Sequence, residues 1–203
     1  MKIKKVVTTK YVGEDGFEFT FEPMEDSLTI KKTKEGYEAR YLAQDNYPER
    51  PDQMCDDISL FLVNYHRDFY VENNKIIAKE DVINWYQTGA LPSVIDRNYY
   101  SFKLSCLVHS GVWLSLNSNF SCDPQGWDTS QVGAVFVGKE IAKTKEEAIE
   151  LANSLVKEWN QYLSGDVYGC IIETYGEDKQ QIDIDSCWGY YGYNESLKEL
   201  KCM

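Results

Sequence analysis

The sequence is short of the residues that most directly announce chemistry. It holds two histidines and no Cys-x-x-Cys pair, so a structural zinc site is not expected. Neither Gly-x-x-x-x-Gly-Lys-Ser/Thr nor Gly-x-Gly-x-x-Gly occurs, which excludes the phosphate-cradling loops that those patterns build. The longest apolar runs, such as 58–63 and 133–138, are far shorter than a membrane span. The opening Met-Lys-Ile-Lys-Lys-Val-Val has basic residues but no apolar stretch behind them, so a secretory signal is not expected. The six cysteines, at 55, 106, 122, 170, 187 and 202, therefore read as reduced thiols of a cytoplasmic protein rather than as a disulfide framework.

Positive charge is also scarce. With 21 Lys and Arg against 33 Asp and Glu, the formal net charge is −12. That argues against simple binding to a phosphate backbone, which needs clustered cations. It suits the reverse role, in which an acidic surface competes for a basic groove and encounter is steered by charge. The same acidity also serves solubility alone. Within the first ten residues the sign inverts: Lys2, Lys4, Lys5 and Lys10 stand there with no acid.

Aromatic residues are plentiful, with 15 Tyr and 5 Trp in 203 residues, ample for a core in one domain or one domain with an appendage. Phe17, Phe19 and Phe21 alternate with polar residues, the period of a half-buried strand. Residues 27–32 and 37–42 predict a hairpin turning through Lys34-Glu35-Gly36. The stretch 46–57, with two prolines and several acids, reads as a loop and boundary. Beyond it, 58–65 predicts a buried strand. Residues 79–87 predict a short helix with Val82, Ile83, Trp85 and Tyr86 inward and Gly89 as its stop.

Residues 99–108 and 112–116 predict an antiparallel pair through His109-Ser110-Gly111, and 131–137 a further strand. The clearest element is a helix over 145–163. Thr144 and Glu147 form a capping box, and Ala148, Ala152, Leu155, Val156, Trp159, Tyr162 and Leu163 make one apolar face. Residues 166–174 and 181–187 predict a last hairpin, and 195–200 a short terminal helix. The expected fold class is α+β: an antiparallel sheet packed on one long amphipathic helix, with shorter helices and an N-terminal β-rich segment. The expected division is 1–45 for that segment and 46–203 for the main domain.

Two stretches stand out from this framework. Ser121-Cys-Asp-Pro-Gln-Gly-Trp-Asp-Thr-Ser-Gln-Val-Gly133 is a polar, aromatic loop running into a strand, and Asp185-Ser-Cys-Trp-Gly-Tyr-Tyr-Gly192 has similar character. Loops carry recognition more often than packing, and Trp and Tyr dominate interface hot spots. The candidate partner-binding residues are Asp123, Gln125, Trp127, Asp128, Gln131, Asp185, Trp188, Tyr190 and Tyr191. Two structural roles compete with that reading. Asp128 with Thr129 and Ser130 can close a turn, and the glycines of 188–192 can let that stretch pack onto a sheet.

Enzymatic readings find weaker support. Cys55 with His66 and Asp68, or Cys106 with His109, lack the local signatures of nucleophilic cysteines. Asp56-Asp57 and the Asp183/Asp185 pair, which share one face of a strand, are the carboxylate sets for a cation. No catalytic residue, metal or cofactor is expected.

The chain resembles a family of proteins from phages, plasmids and other mobile elements. The resemblance rests on Leu107-Val-His-Ser-Gly111, Phe120 through Gly133, Tyr162-Leu-Ser-Gly-Asp-Val-Tyr-Gly169 and Asp185 through Gly192. It covers roughly residues 50–195 and leaves the first fifty outside. It implies a counter-defence role in the host bacterial cytosol, as a type II-A anti-CRISPR that inhibits Cas9 without being an enzyme. The implied partner is Cas9 or its guide-RNA complex, with the basic first ten residues touching nucleic acid. The acids here are scattered, without the dense spacing of a strict DNA mimic, so binding to the protein–nucleic acid complex is expected alongside mimicry. Two alternatives stand beside it: a hydrolase or nuclease acting in counter-defence through Asp183, Asp185 or a Cys–His pair, and a phage regulatory protein unrelated to CRISPR.

Overall fold

The computed structural model describes residues 11–13, 15–54, 58–116 and 120–203. The basic first ten residues, Cys55 and the Asp56-Asp57 pair lie outside them. The chain begins with β1 (Tyr11–Val12), β2 (Glu18–Phe19), β3 (Thr29–Lys32), β4 (Tyr37–Gln44) and the single turn α1 (Pro51–Met54). Next come β5 (Leu60–His66), β6 (Phe69–Val71), α2 (Lys79–Thr88), α3 (Ser93–Asn98), β7 (Tyr99–Val108), β8 (Val112–Ser115) and β9 (Thr129–Gly138). The helix α4 (Lys145–Ser164), β10 (Val167–Tyr175), β11 (Gln181–Tyr191) and α5 (Tyr193–Cys202) complete it. All the sheet pairings are antiparallel, so the class is α+β.

The chain forms two compact units, and their boundary is not the expected cut near residue 45. The described residues up to Pro48 join Gly165–Met203 in one, the terminal unit, and Glu49–Ser164 form the other, the central unit. The reason is a strand pairing no local pattern contains: β10 aligns with β4 from Tyr168↔Gln44 to Tyr175↔Tyr37. The N-terminal β-rich segment is thus half of a sheet whose other half lies at the C-terminus.

In the central unit the described strands run β6-β5-β9-β7-β8, with helices on both faces. Leu62, Leu104, Val135 and Val137 meet Ala148, Ala152, Val156 and Trp159 of α4. Phe61, Val63, Ala134 and Phe136 meet Val82 of α2 and Ile95 of α3. Burial on both sides explains the unbroken apolar run at 134–137, and each fully buried large side chain there contributes about 1.5–3 kcal/mol. The capping box forms as the sequence predicts. Glu147 N donates to Thr144 Oγ1 at 3.1 Å and Thr144 N to Glu147 Oε2 at 3.2 Å.

Helix α2 ends on Gly89 in the left-handed region, where a missing Cβ removes the steric cost. Of its inward residues, Val82 is buried, Trp85 and Tyr86 pack beside it, and Ile83 is half-buried like those two. The β7–β9 register shifts between Leu104 and Cys106, and the Tyr86 hydroxyl serves the backbone there. It donates to Gly133 O at 2.7 Å and accepts from Leu104 N at 3.1 Å.

In the terminal unit the described strands run β11-β10-β4-β3. One face is covered by α5, whose Leu200 meets Leu42, Tyr168 and Cys170. The other is covered by the β1–β2 hairpin through an aromatic cluster of Phe17, Phe19, Tyr41 and Tyr175. Strand β11 runs on past the expected end at Cys187 to Tyr191, so the 188–192 stretch is largely strand rather than loop. Among the described residues no helix is long and apolar enough to cross a membrane.

Candidate functional site

The tip of the β7–β8 hairpin and the loop before β9 converge in the central unit. At the tip, His109 N donates to Gly111 O at 3.0 Å and Ser110 takes a left-handed φ of 53°. Val108 N donates to Asp128 O at 3.0 Å, and His109 Nδ1 lies 2.9 Å from Asp128 Oδ2. Two of the sequence landmarks, 107–111 and 120–133, are thus tied to each other.

The loop is organised around one carboxylate. Asp123 Oδ1 accepts from Trp127 N at 2.9 Å, and Oδ2 accepts from Asp128 N at 2.9 Å and Thr129 Oγ1 at 2.8 Å. Between them Gly126 adopts a φ of +72°, which closes the turn without a Cβ to strain it. Partial desolvation pushes the Asp123 carboxyl up, but the Thr129 hydroxyl and the backbone donors outweigh it and hold it below the ordinary carboxylate value.

This hydrogen-bonded loop holds the Trp127 side chain in water, 83% exposed, flanked by the exposed Gln125, Asp128 and Gln131. Beside it opens a cleft of about 450 Å³ with Leu107, Trp113, Leu114 and Phe120 as apolar wall and His109, Asp123 and Asp128 at its polar side. An apolar side chain from a partner fits such a wall. Trp113 is a member that sequence reading missed. It looks like an ordinary strand residue, and only its pairing with Leu107 across the hairpin brings it to the cleft.

The expected site residues therefore divide. Asp123, Gln125, Trp127, Asp128 and Gln131 gather in the central unit, with Asp123 acting inward as the loop's organiser. Asp185, Trp188, Tyr190 and Tyr191 belong to β11 in the terminal unit. There Asp185 is exposed opposite Ile172, and Tyr190 packs beside Tyr168 and Cys170. Trp188 lies against Gly169, where an added Cβ would come within 2.4 Å of the indole. Asp123→Ala is expected to speed amide exchange at Trp127 and Asp128 while leaving the melting temperature nearly unchanged. In the wild type, loop order holds above the ordinary carboxylate range and is lost only as pH falls below it. Amide-exchange NMR against pH checks both, and unchanged protection in the variant would refute the assignment.

The sets considered for chemistry fare as follows. Asp183 and Asp185 are exposed on one face of β11, and among the described residues no three of His, Cys, Asp and Glu form a group able to hold a metal ion. Cys106 is buried, and desolvation raises its thiol to about 11, which disfavours the thiolate a nucleophile needs. Cys122 is an exposed free thiol on the same cleft as His109 and Asp128. Comparison of the chain with protein-family models, curated proteins and solved structures finds no match.

Proposed function

We propose that the protein is a non-enzymatic binding protein that inhibits a Cas9-type effector, engaging it through the 120–131 loop and its neighbouring cleft. One observation carries the reading: a tryptophan 83% exposed on a loop fixed by three hydrogen bonds to Asp123. An indole in water gains most by burial in a partner's pocket, and a backbone already ordered loses little entropy on binding. Its acidic neighbours and the net charge of −12 favour a basic partner surface. A guide-loaded effector offers such surfaces, in arginines that read the protospacer-adjacent motif and in channels that hold nucleic acid.

The test is a DNA-cleavage titration with purified type II-A Cas9–guide complex at two salt concentrations. Inhibition saturating near equimolar protein is expected, with potency falling as salt rises. Unchanged cleavage with folded protein in excess would sink the reading for that effector.

A thiol hydrolase is the second reading, favoured by Cys122, His109 and Asp128 sharing one cleft with His109 Nδ1 at 2.9 Å from Asp128. Under it, inhibition would be substoichiometric, with turnover, and lost in Cys122→Ser. The binder predicts stoichiometric inhibition that this substitution leaves in place.

A further inference from the structure

The terminal unit contains a second cleft, of about 600 Å³, whose lining is chemically one-sided. Its aromatic members are Phe21, Tyr47 and Trp188, and its charged members are Glu22 and Asp45. No lysine or arginine lines it among the described residues. Trp188 and Phe21 meet edge to face, with centroids 5.0 Å apart at 73°, while Trp188 remains 37% and Tyr47 94% exposed.

The walls are fixed by backbone contacts. Pro23 bridges to Ala43, and Met24 N donates to Leu42 O at 2.7 Å. Asp45 N donates to Val167 O at 2.9 Å, and Asp45 Oδ1 accepts from Tyr47 N at 3.0 Å, which fixes the backbone that carries the exposed tyrosine at the edge of the cleft. Gln44 Nε2 donates to the carbonyls of Gly165 and Val167.

The cleft thus offers aromatic rings and acceptors: the Glu22 carboxylate and the second Asp45 oxygen, with the Asn46 amide as its mixed member. A ligand that matches must be planar, cationic and rich in donors. We propose that this cleft binds a guanidinium group, the arginine side chain of a partner protein. Guanidinium carries five N–H donors and no acceptor, pairs with carboxylates in a fork and stacks on aromatic rings. An alkylammonium has the charge but neither the plane nor the fork. The site belongs to a different unit from the Trp127 loop, and the proposal stands whether or not that loop engages Cas9.

The test is an amide and indole NMR titration of the full chain with N-acetyl-arginine methylamide. Its neutral isostere N-acetyl-citrulline methylamide and N-acetyl-lysine methylamide serve as controls. Saturable shifts confined to Trp188 Nε1–H and the 44–47 amides are expected, with a Kd on the order of millimolar for so small a ligand. The double variant Glu22→Gln/Asp45→Asn keeps an acceptor for Tyr47 N and is expected to weaken binding about tenfold, as is Tyr47→Ala alone. Tyr47 is too exposed for that change to unfold the unit. Equal binding of the citrulline compound, or no localised shift with the arginine compound, would overturn the proposal. Equal binding of the lysine compound would overturn the guanidinium assignment.

Discussion

Replacing Glu173 with alanine is expected to lower stability by roughly 3–5 kcal/mol, a large part of what holds a protein of this size folded. Glu173 is fully buried on β10, inside the aromatic cluster of the terminal unit. It accepts from the Tyr41 hydroxyl at 2.5 Å, from the Tyr175 hydroxyl, and from Thr20 N at 3.0 Å. Removing the carboxylate strands the buried Tyr41 hydroxyl and the Thr20 N–H, each at a cost of about 1–3 kcal/mol, while the Tyr175 hydroxyl keeps Glu18 O as an acceptor at 3.2 Å. Glu173→Gln keeps the volume and one acceptor and is expected to cost less than half as much.

The same network sets an alkaline limit. Burial, then the hydrogen bond and charge of Glu173, raise Tyr41 and Tyr175 well above their ordinary 10.0. A raised folded value means that this stabilisation is complete below pH 10 and is lost as pH rises above it, because the unfolded tyrosines ionise first. Urea denaturation at pH 7 and pH 11, followed by amide exchange in β4 and β10, reads both effects. A loss under about 1 kcal/mol in Glu173→Ala would mean that the donors find other partners.

Trp127→Ala is expected to weaken inhibition of the Cas9–guide complex by about 30-fold or more, the loss of roughly 2 kcal/mol that marks a hot spot. Stability should move by no more than about 0.5 kcal/mol, since the side chain is 83% exposed and supports nothing in the fold. A large loss of affinity with stability unchanged is the diagnostic pattern, measured by dose–response in the cleavage assay and by thermal melting. Trp113→Ala, at the cleft wall and 47% exposed, should weaken inhibition less. If Trp127→Ala inhibits as well as wild type, the loop is not the contact surface, even where inhibition itself is real.

What the sequence determined by itself is local. The limits of β7 match the expected 99–108, and α4 runs one residue beyond its expected end. Helical spacing, a capping box and a glycine stop are decided by residues within a few positions of each other. The β3–β4 and β10–β11 hairpins were legible for the same reason. Strand β5 begins at Leu60 and leaves Ile58 exposed, because an apolar residue at a strand's edge carries no sign of where pairing starts.

Tertiary structure alone decided the rest. The pairing of β4 with β10 and the bonds from Tyr41 and Thr20 to Glu173 join residues 132 and 153 positions apart. In the sequence Glu173 looks like the polar phase of a strand, and only those donors explain its burial. Asp123 reads in the sequence as a partner contact, and only the folded loop shows that it also accepts the hydrogen bonds that close the turn while lining the cleft. Tyr47 stands in a stretch that reads as a loop and boundary, though Asp45 ties its backbone N–H at the edge of the acidic cleft. In each case a polar or aromatic side chain has its role set by a neighbour distant in sequence or by a turn's closure, and such partners leave no periodicity to read.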